Sequence, residues 1–341
     1  MPSRPLVVAI LGPTATGKST LGVALAERYG GEIVNCDSTA VYRGFDIGTD
    51  KVAVAEQRGI AHHLIDIVDP TGEYTAAQYA ADAASVIRAI HERGRLPILV
   101  GGTGFYYRAL TRGLFPGPGR DRALRTRLEA LAARRGVTAL HRLLRRVDAA
   151  SAARIQPRDA KRMVRALEVY LLTGRPLSDH FRDTRSLLPD VDFLPIGVRL
   201  PAAQISERVA RRVDEQFARG LLDEVRALLG TGIPETARPF GGLVYRQALE
   251  HLRGVRDEAS TRALIAQENR QYARRQLIWF RKEPNLIWLD GPGESPVALA
   301  AATRLLESRV PLILLPRSTE PPSTELPSRE LPSRELPSRE L

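Results

Sequence analysis

Pro5-Leu-Val-Val-Ala-Ile-Leu11 runs directly into Gly12-Pro13-Thr14-Ala15-Thr16-Gly17-Lys18-Ser19. The apolar run predicts a buried strand, and the eight residues after it fit G-x-x-x-x-G-K-[ST], a loop that cradles phosphate. Each part answers a physical need. Glycines let backbone N–H groups turn inward on an anion, Lys18 supplies a point charge, and the Ser19 hydroxyl suits Mg²⁺. A helix opening just after Gly17 aims its positive end at the same place. Ser19 to Tyr29 carries a helical pattern, so strand, loop and helix stand in the required order. The expected ligand is a phosphate or pyrophosphate, and the loop leaves open whose; an ATP-binding, nucleotide-binding protein is the general expectation.

Outward from the loop, Glu32 to Cys36 predicts a second short strand that ends at Asp37-Ser38. Ala61 to Pro70 has a strand-like apolar centre closed by a proline turn, and Thr75 to Arg93 an Ala-rich helix stopped by Gly94. Leu96 to Val100 predicts a third buried strand, opening into Gly101-Gly-Thr103-Gly104. Strands alternating with helices behind such a loop indicate a parallel α/β sheet. Past the prolines at 116 and 118 the pattern is helical from Asp121 to Thr173, with Ala160 to Leu172 carrying Met163, Leu167 and Tyr170 inward. Phe193 to Leu200 returns as a strand. Ile205 to Arg219, Leu221 to Leu229 and Glu258 to Trp279 predict helices, and Asn285 to Leu289 a last strand. The expected fold class is therefore α/β, a P-loop NTPase-like parallel sheet core flanked by helices with an inserted basic all-helical domain. Residues 1–117 and 190–310 would form the core, 118–189 the insertion, and 311–341 a disordered tail in which Glu-Leu-Pro-Ser-Arg recurs.

Charge is concentrated. The net charge is +11, and Arg120 to Arg185 holds 17 Lys and Arg against 7 Asp and Glu, nearly the whole excess in one segment. That favours a polyanion, nucleic acid, over a merely solvated face. The single cysteine, Cys36, excludes an internal disulfide framework and a Cys-rich zinc site. The start of the chain lacks a signal-peptide pattern and no run approaches a membrane span, so no membrane is expected and the cytoplasm is the expected location.

Asp37, at the end of a strand beside the phosphate loop, is placed to be a general base or a Mg²⁺ ligand; its bland alternative is a turn cap. Thr103 points toward the strand ends where ligands collect in open α/β sheets. His62 and His63 lack the acidic or Cys spacing of a metal site, so a strand-edge or packing role is expected. Tyr42, Tyr106 and Tyr107 are candidate stacking surfaces or core. Tyr272 to Arg281 interleaves cations with aromatics on a helix, which suits RNA contacts, core packing, or both.

Several of these motifs together resemble one family, the tRNA dimethylallyltransferases (tRNA isopentenyltransferases). They are the phosphate loop, Asp37-Ser38 through Tyr42-Arg-Gly44 to Thr49, His62 to Ile67, Pro97 to Gly104, Arg162 to Val169 with Thr173-Gly174, Gly220-Leu221 with Glu224-Val225, and Tyr272 to Gln276 with Trp279 to Arg281. The resemblance implies transfer of a dimethylallyl group from dimethylallyl diphosphate to N6 of the adenosine 3′-adjacent to the anticodon, releasing pyrophosphate. The loop would then hold the diphosphate, with Mg²⁺ at Ser19. Asp37 would align the adenine amino group and take its proton, while Thr14 and Thr103 touch donor or base. The resemblance assigns tRNA contacts to Asp37, Ser38, Thr39, Ala40, Thr103 and Arg125. It adds Lys161, Arg162, Met163, Val164 and Arg165, with Arg208 and Arg212 near the phosphates. The partner is the tRNA anticodon stem-loop, and a monomer is the expected state. Ala40, Ala61, Arg158, Val244, Asn269 and Ile278 depart from the family pattern and leave the loop and Asp37 intact. The competing readings are an ATP-dependent small-metabolite kinase with Asp37 as base, and an RNA-binding protein that uses a nucleotide as a switch. Neither explains both the basic insertion and the acid beside the loop.

Overall fold

The computed structural model describes residues 4–309. β1 (Leu6–Leu11) leads through the glycine loop into α1 (Lys18–Tyr29), and β2 (Gly31–Asn35) follows at once. β3 (His62–His63), α2 (Ala76–Glu92), β4 (Leu96–Gly101) and α3 (Gly104–Arg112) complete the first half of the core. β5 (Asp192–Arg199) and β6 (Ile287–Asp290) rejoin it much later. The six strands form one all-parallel sheet in the order β3-β2-β4-β1-β5-β6.

The near-continuous apolar sequence of β1 follows from its central place, because both faces are covered. Alternate residues serve different layers. Val7, Ala9 and Leu11 pack with α2, α3 and Phe280, whereas Val8 and Ile10 pack with α1 and residues 302 and 306. The latter belong to α13, given below.

Between β4 and β5 the chain forms α4 (Arg122–Arg135), α5 (Val137–Val147), α6 (Ala149–Arg154), α7 (Ala160–Thr173) and the single turn α8 (Leu177–His180). The segment read as helical throughout is thus broken at Gly136, Asp148 and 155–159. Asp121, Asp148 and Asp159 each cap the next helix by accepting a backbone N–H, at 2.8, 2.8 and 3.1 Å. These helices bury a cluster of their own, including Leu128, Leu140, Leu144, Met163 and Leu167. The segment enters and leaves the core side by side: a Cβ on Gly113 would lie 1.8 Å from the Arg185 carbonyl oxygen.

After β5 come α9 (Ala202–Ala218), α10 (Leu221–Gly230), α11 (Leu243–Leu252) and α12 (Glu258–Phe280). α13 (Pro296–Glu307) follows β6. α11 and α13 were not read from the sequence. α9 to α12 close a fourth cluster over the loop after β2, joining Val41 and Phe45 to Val213, Val225, Phe240 and Tyr245.

The strand expected in Ala61 to Pro70 is corrected: only His62–His63 joins the sheet, against Ile33 and Val34, while Val68 makes a lone bridge to Tyr42. Leu64 and Asp66 have φ of 61° and 56°, which ends the strand. Their segment is held instead by the 40–43 loop, through Asp66 N to Ala40 O at 3.2 Å and Val68 N to Val41 O at 2.9 Å. The expected tail, 311–341, lies outside the described residues.

Candidate active site

The phosphate loop sits at the carboxyl end of β1, mid-sheet. Gly12, Ala15 and Gly17 all have positive φ, 136°, 63° and 83°, the alternation that turns backbone N–H groups toward one side. Gly12 also touches β5, since a Cβ there would lie 2.4 Å from Val198 O. Ala15 accepts a left-handed backbone that costs an L-residue about 1–2 kcal/mol. Thr16 is fully buried and donates to Pro13 O at 3.0 Å, and Gly293 N closes on Thr16 O at 2.8 Å. Lys18 Nζ donates back to Pro13 O. Burial, helped by the neighbouring Arg212 charge and opposed by Asp37, lowers the Lys18 ammonium to about 7.

α9 lays two arginines across this loop. Arg212 Nη1 donates to Thr14 Oγ1 at 2.9 Å and pairs with Asp50 at 3.1 Å; Arg208 Nη1 donates to Ala15 O at 3.2 Å while its guanidinium pairs with Glu294. Both reach the loop itself.

The next two strand ends on one side carry a hydroxyl, after β4, and beyond it an acid, after β2. Asp37 follows β2, and its Oδ1 accepts from Thr39 N at 2.8 Å and Thr39 Oγ1 at 2.6 Å, a local turn that orients the carboxylate. Asn35 Oδ1 accepts from Asp37 N at 3.0 Å, and its Nδ2 donates to Asp37 O and Leu64 O. Thr103, just after β4, accepts Ser38 N on its Oγ1 at 3.0 Å and gives its own N–H to Cys36 O at 3.0 Å. The two turns are therefore stitched together. α12 passes over them: Tyr272 lies near Thr103, and burial together with the Asp37 charge pushes its phenol above the ordinary range. Trp279 packs against Gly104, where a Cβ would come within 2.2 Å of the ring, and the Arg108 guanidinium lies 4.4 Å from a Trp279 ring centroid.

With a phosphate loop flanked by cations after β1 and an oriented carboxylate after β2, one strand removed across β4, the arrangement can hold a diphosphate and present a proton acceptor to a second substrate. The IPP transferase family model matches residues 40–283 of this sequence. The chain belongs to the IPP transferase family. It is 50% identical to a tRNA dimethylallyltransferase of Solibacter usitatus over 85% of this chain and 94% of the relative. A tRNA dimethylallyltransferase of Geobacter metallireducens is 47% identical over 84% and 93%. The crystal structure of the tRNA isopentenylpyrophosphate transferase of Bacillus halodurans aligns with a TM-score of 0.65 and 36% identity, covering 90% of this chain and 98% of that one. A eukaryotic dimethylallyltransferase, captured acting on tRNA, aligns at TM-score 0.75 and 26% identity over 93% and 81%.

In this IPP transferase family member the structure gathers Gly12 to Ser19, Asp37, Ser38, Thr39 and Thr103 at one sheet edge. Other residues that the resemblance assigns to RNA contacts have protein partners in this structure. Met163 and Val164 are buried at 0% and 2% exposure in the insertion's core, and Ala40 is buried at 7%, so their side chains are packed within the protein. Arg125 and Arg165 are tied to the buried Glu168. Lys161 and Arg162 are exposed. Tyr42, Tyr106 and Tyr107 are core. His63 Nε2 lies 2.6 Å from Glu32 Oε2 on the edge of the sheet, and no group of three or more potential metal ligands occurs among the described residues. Asp50, Gln276 and Glu168 were missed. Their signal is largely tertiary: Asp50 meets Arg212, Gln276 meets Thr14 and Gly102, and Glu168 meets Asp121 and Arg125 across more than 40 residues, with Arg165 the one local partner of Glu168.

Proposed function

We propose that the chain transfers a dimethylallyl group from dimethylallyl diphosphate to N6 of the adenosine 3′-adjacent to the anticodon in tRNA, releasing pyrophosphate. The observation that carries this reading is the phosphate loop after β1 with the Thr103 turn after the adjacent β4 and the Asp37 turn after β2 stitched to it, in a member of this family. The donor diphosphate lies in the loop, among its inward amides, Lys18, Arg208 and Arg212. As the allylic C–O bond breaks, these groups receive the developing charge on the leaving pyrophosphate. The adenine nitrogen forms the new C–N bond, and its proton passes to Asp37. Thr39 already engages Oδ1, which leaves Oδ2 for the amino group. An exocyclic amine is a weak nucleophile, so alignment outweighs basicity. Ser19, exposed in the first turn of α1, fits Mg²⁺, which takes few protein ligands and fills its shell with phosphate oxygens and water. When bound, the ion neutralises diphosphate charge.

An anticodon-loop base must leave its stack to enter such a site. The insertion, residues 118–189 with a core and a charge excess of its own, grips the stem-loop backbone, with Lys161 and Arg162 outermost. Ser38 and Thr103 stand beside the extruded base. A monomer in the cytoplasm accords with this reading; no helix among the described residues is long and apolar enough to cross a membrane.

The test is prenyl transfer from labelled dimethylallyl diphosphate to unmodified tRNA with Mg²⁺ and no ATP. The expected outcome is label in tRNA, with kcat reduced about 10²- to 10⁴-fold in Asp37→Asn. Absence of label, with ATP turnover on a small acceptor, would replace this reading with a kinase.

A further inference from the structure

Gln276 projects from α12 into the seam between the two halves of the site. It is buried at 6% exposure. Its Oε1 accepts the Thr14 N–H of the phosphate loop at 2.8 Å, and its Nε2 donates to Gly102 O at 2.9 Å on the turn after β4. One carboxamide thus spans the loop that would hold the donor and the turn that carries Thr103. Thr103 in turn is bonded to Ser38, next to Asp37. Thr14 and Gly102 follow the paired strands β1 and β4, whose ladder ends at Leu11 and Gly101, and Gln276 carries the link beyond that ladder. Gly102 is shaped for the contact, because a Cβ there would lie 2.3 Å from Gln276 Nε2.

We infer that Gln276 is a positioning residue, a cross-link that sets the separation between the donor loop and the acceptor turn. This rests on the transferase reading above and deepens it. Both ends of the amide are consumed by backbone groups: the Thr14 N–H is spent on Gln276 and is not one of the amides offered to the diphosphate. Gln276 therefore acts through the loop without touching the donor. Its consequence falls on the distance between the reacting atoms, where an error of about 1 Å can cost about 10²-fold in rate.

The carboxamide is required because it offers an acceptor and a donor at once. A methionine of similar volume leaves Thr14 N–H and Gly102 O unpaired. A glutamate ionised at neutral pH still accepts from Thr14 but opposes Gly102 O with a second acceptor; protonated, it reproduces both bonds. Charged and titratable groups around the seam, Lys18 on α1, Arg212 on α9, Asp37 after β2 and Tyr272 on α12, are common to wild type and variants. The ratio of the two rates isolates position 276.

The experiment is single-turnover prenyl transfer by the full chain at saturating donor and tRNA, for wild type, Gln276→Met and Gln276→Glu. Dissociation constants for both substrates and thermal unfolding are measured in parallel. The expected result is a rate at least about 10-fold lower in Gln276→Met, with both dissociation constants within about 3-fold of wild type. In Gln276→Glu, the rate relative to wild type should climb as pH falls. Full rates in both variants, losses confined to the donor dissociation constant, or losses that track the unfolded fraction would each overturn the inference. So would a Gln276→Glu ratio that does not change with pH. A wild-type protein that transfers nothing would remove the transferase reading itself, and this inference with it.

Discussion

Glu168 has no exposed surface, yet it sits in the most basic segment of the chain. Its carboxylate accepts from Asp121 N at 2.9 Å, Arg125 Nε and Nη2 at 2.8 Å each, and Arg165 Nη1 at 2.7 Å. Burial alone would raise its pKa; the two guanidinium groups and the backbone N–H outweigh burial and hold it at about 2. A carboxyl lowered in the folded state contributes stability that is fully present above its unfolded pKa, about 4.3, and is lost as pH falls through the folded value. Glu168→Gln should therefore destabilise the protein by about 3 kcal/mol at pH 7, the scale of breaking a buried charged pair. The deficit should shrink between about pH 4.3 and pH 2. Thermal unfolding of both proteins across that range checks it; an equal deficit at pH 7 and pH 2.5 would rule the account out. The resemblance assigns Arg125 and Arg165 to RNA contacts, and the structure shows both guanidinium groups also holding Glu168. Nothing in their spacing shows that Glu168 is inward, because it lies one step along the helix from Leu167 and looks like any surface acid.

α7 divides its residues by face. Met163, Val164 and Leu167 turn inward while Lys161 and Arg162 turn out, as a period of 3.6 requires. The same four-residue run Lys161 to Val164 thus carries two different duties. Lys161→Ala and Arg162→Ala should each weaken tRNA binding and lower the slope of log affinity against log salt by about 1, leaving donor binding unchanged. Met163→Ala should leave that slope alone and cost about 2–5 kcal/mol of stability. Binding titrations at several salt concentrations, beside unfolding curves, separate the two; a reduced slope for Met163→Ala would contradict the burial. The helix and its inward Met163 and Leu167 were legible from periodicity. Its outward partners were legible only as a basic cluster, and the resemblance by residue range could not tell one face from the other.

At the scale of the whole molecule, the basic segment leaves and rejoins the core side by side. Gly113 and Arg185 meet there, and Ser186 Oγ donates to Leu110 O at 3.3 Å. Because the segment buries its own cluster, replacing residues 118–183 with a short Gly-Ser linker should leave the sheet folded. Diphosphate binding should stay within about 3-fold, and tRNA affinity should fall by about 10²-fold or more, since most of the phosphate-neutralising charge is gone. Calorimetric titration with pyrophosphate and filter binding of tRNA read the two separately. Loss of pyrophosphate binding in a folded variant would show that the segment also builds the donor site. The fourth cluster, over the 41–45 loop, has no counterpart in the local pattern of the sequence. Glu224 shows why: its Oε2 accepts Ile47 N at 2.8 Å and its Oε1 accepts the Tyr245 hydroxyl at 2.5 Å, contacts that fix the loop after Asp37 across 177 and 21 residues.

By itself the sequence determined what is local. An apolar run followed by glycines and a Lys-Ser pair dictates strand, phosphate loop and helix, because backbone geometry and charge there depend on residues a few positions apart. Alternation of such units dictated the parallel sheet, and the position of Asp37 after a strand dictated an acid at its carboxyl edge. Only the tertiary structure decided which cations are free and which are held, that Leu64 to Val68 bonds a loop instead of extending β3, and that α12 closes the site through Gln276. These depend on groups brought together over up to 262 residues, and the free energy of such a contact lies in shared burial that no stretch of sequence contains alone.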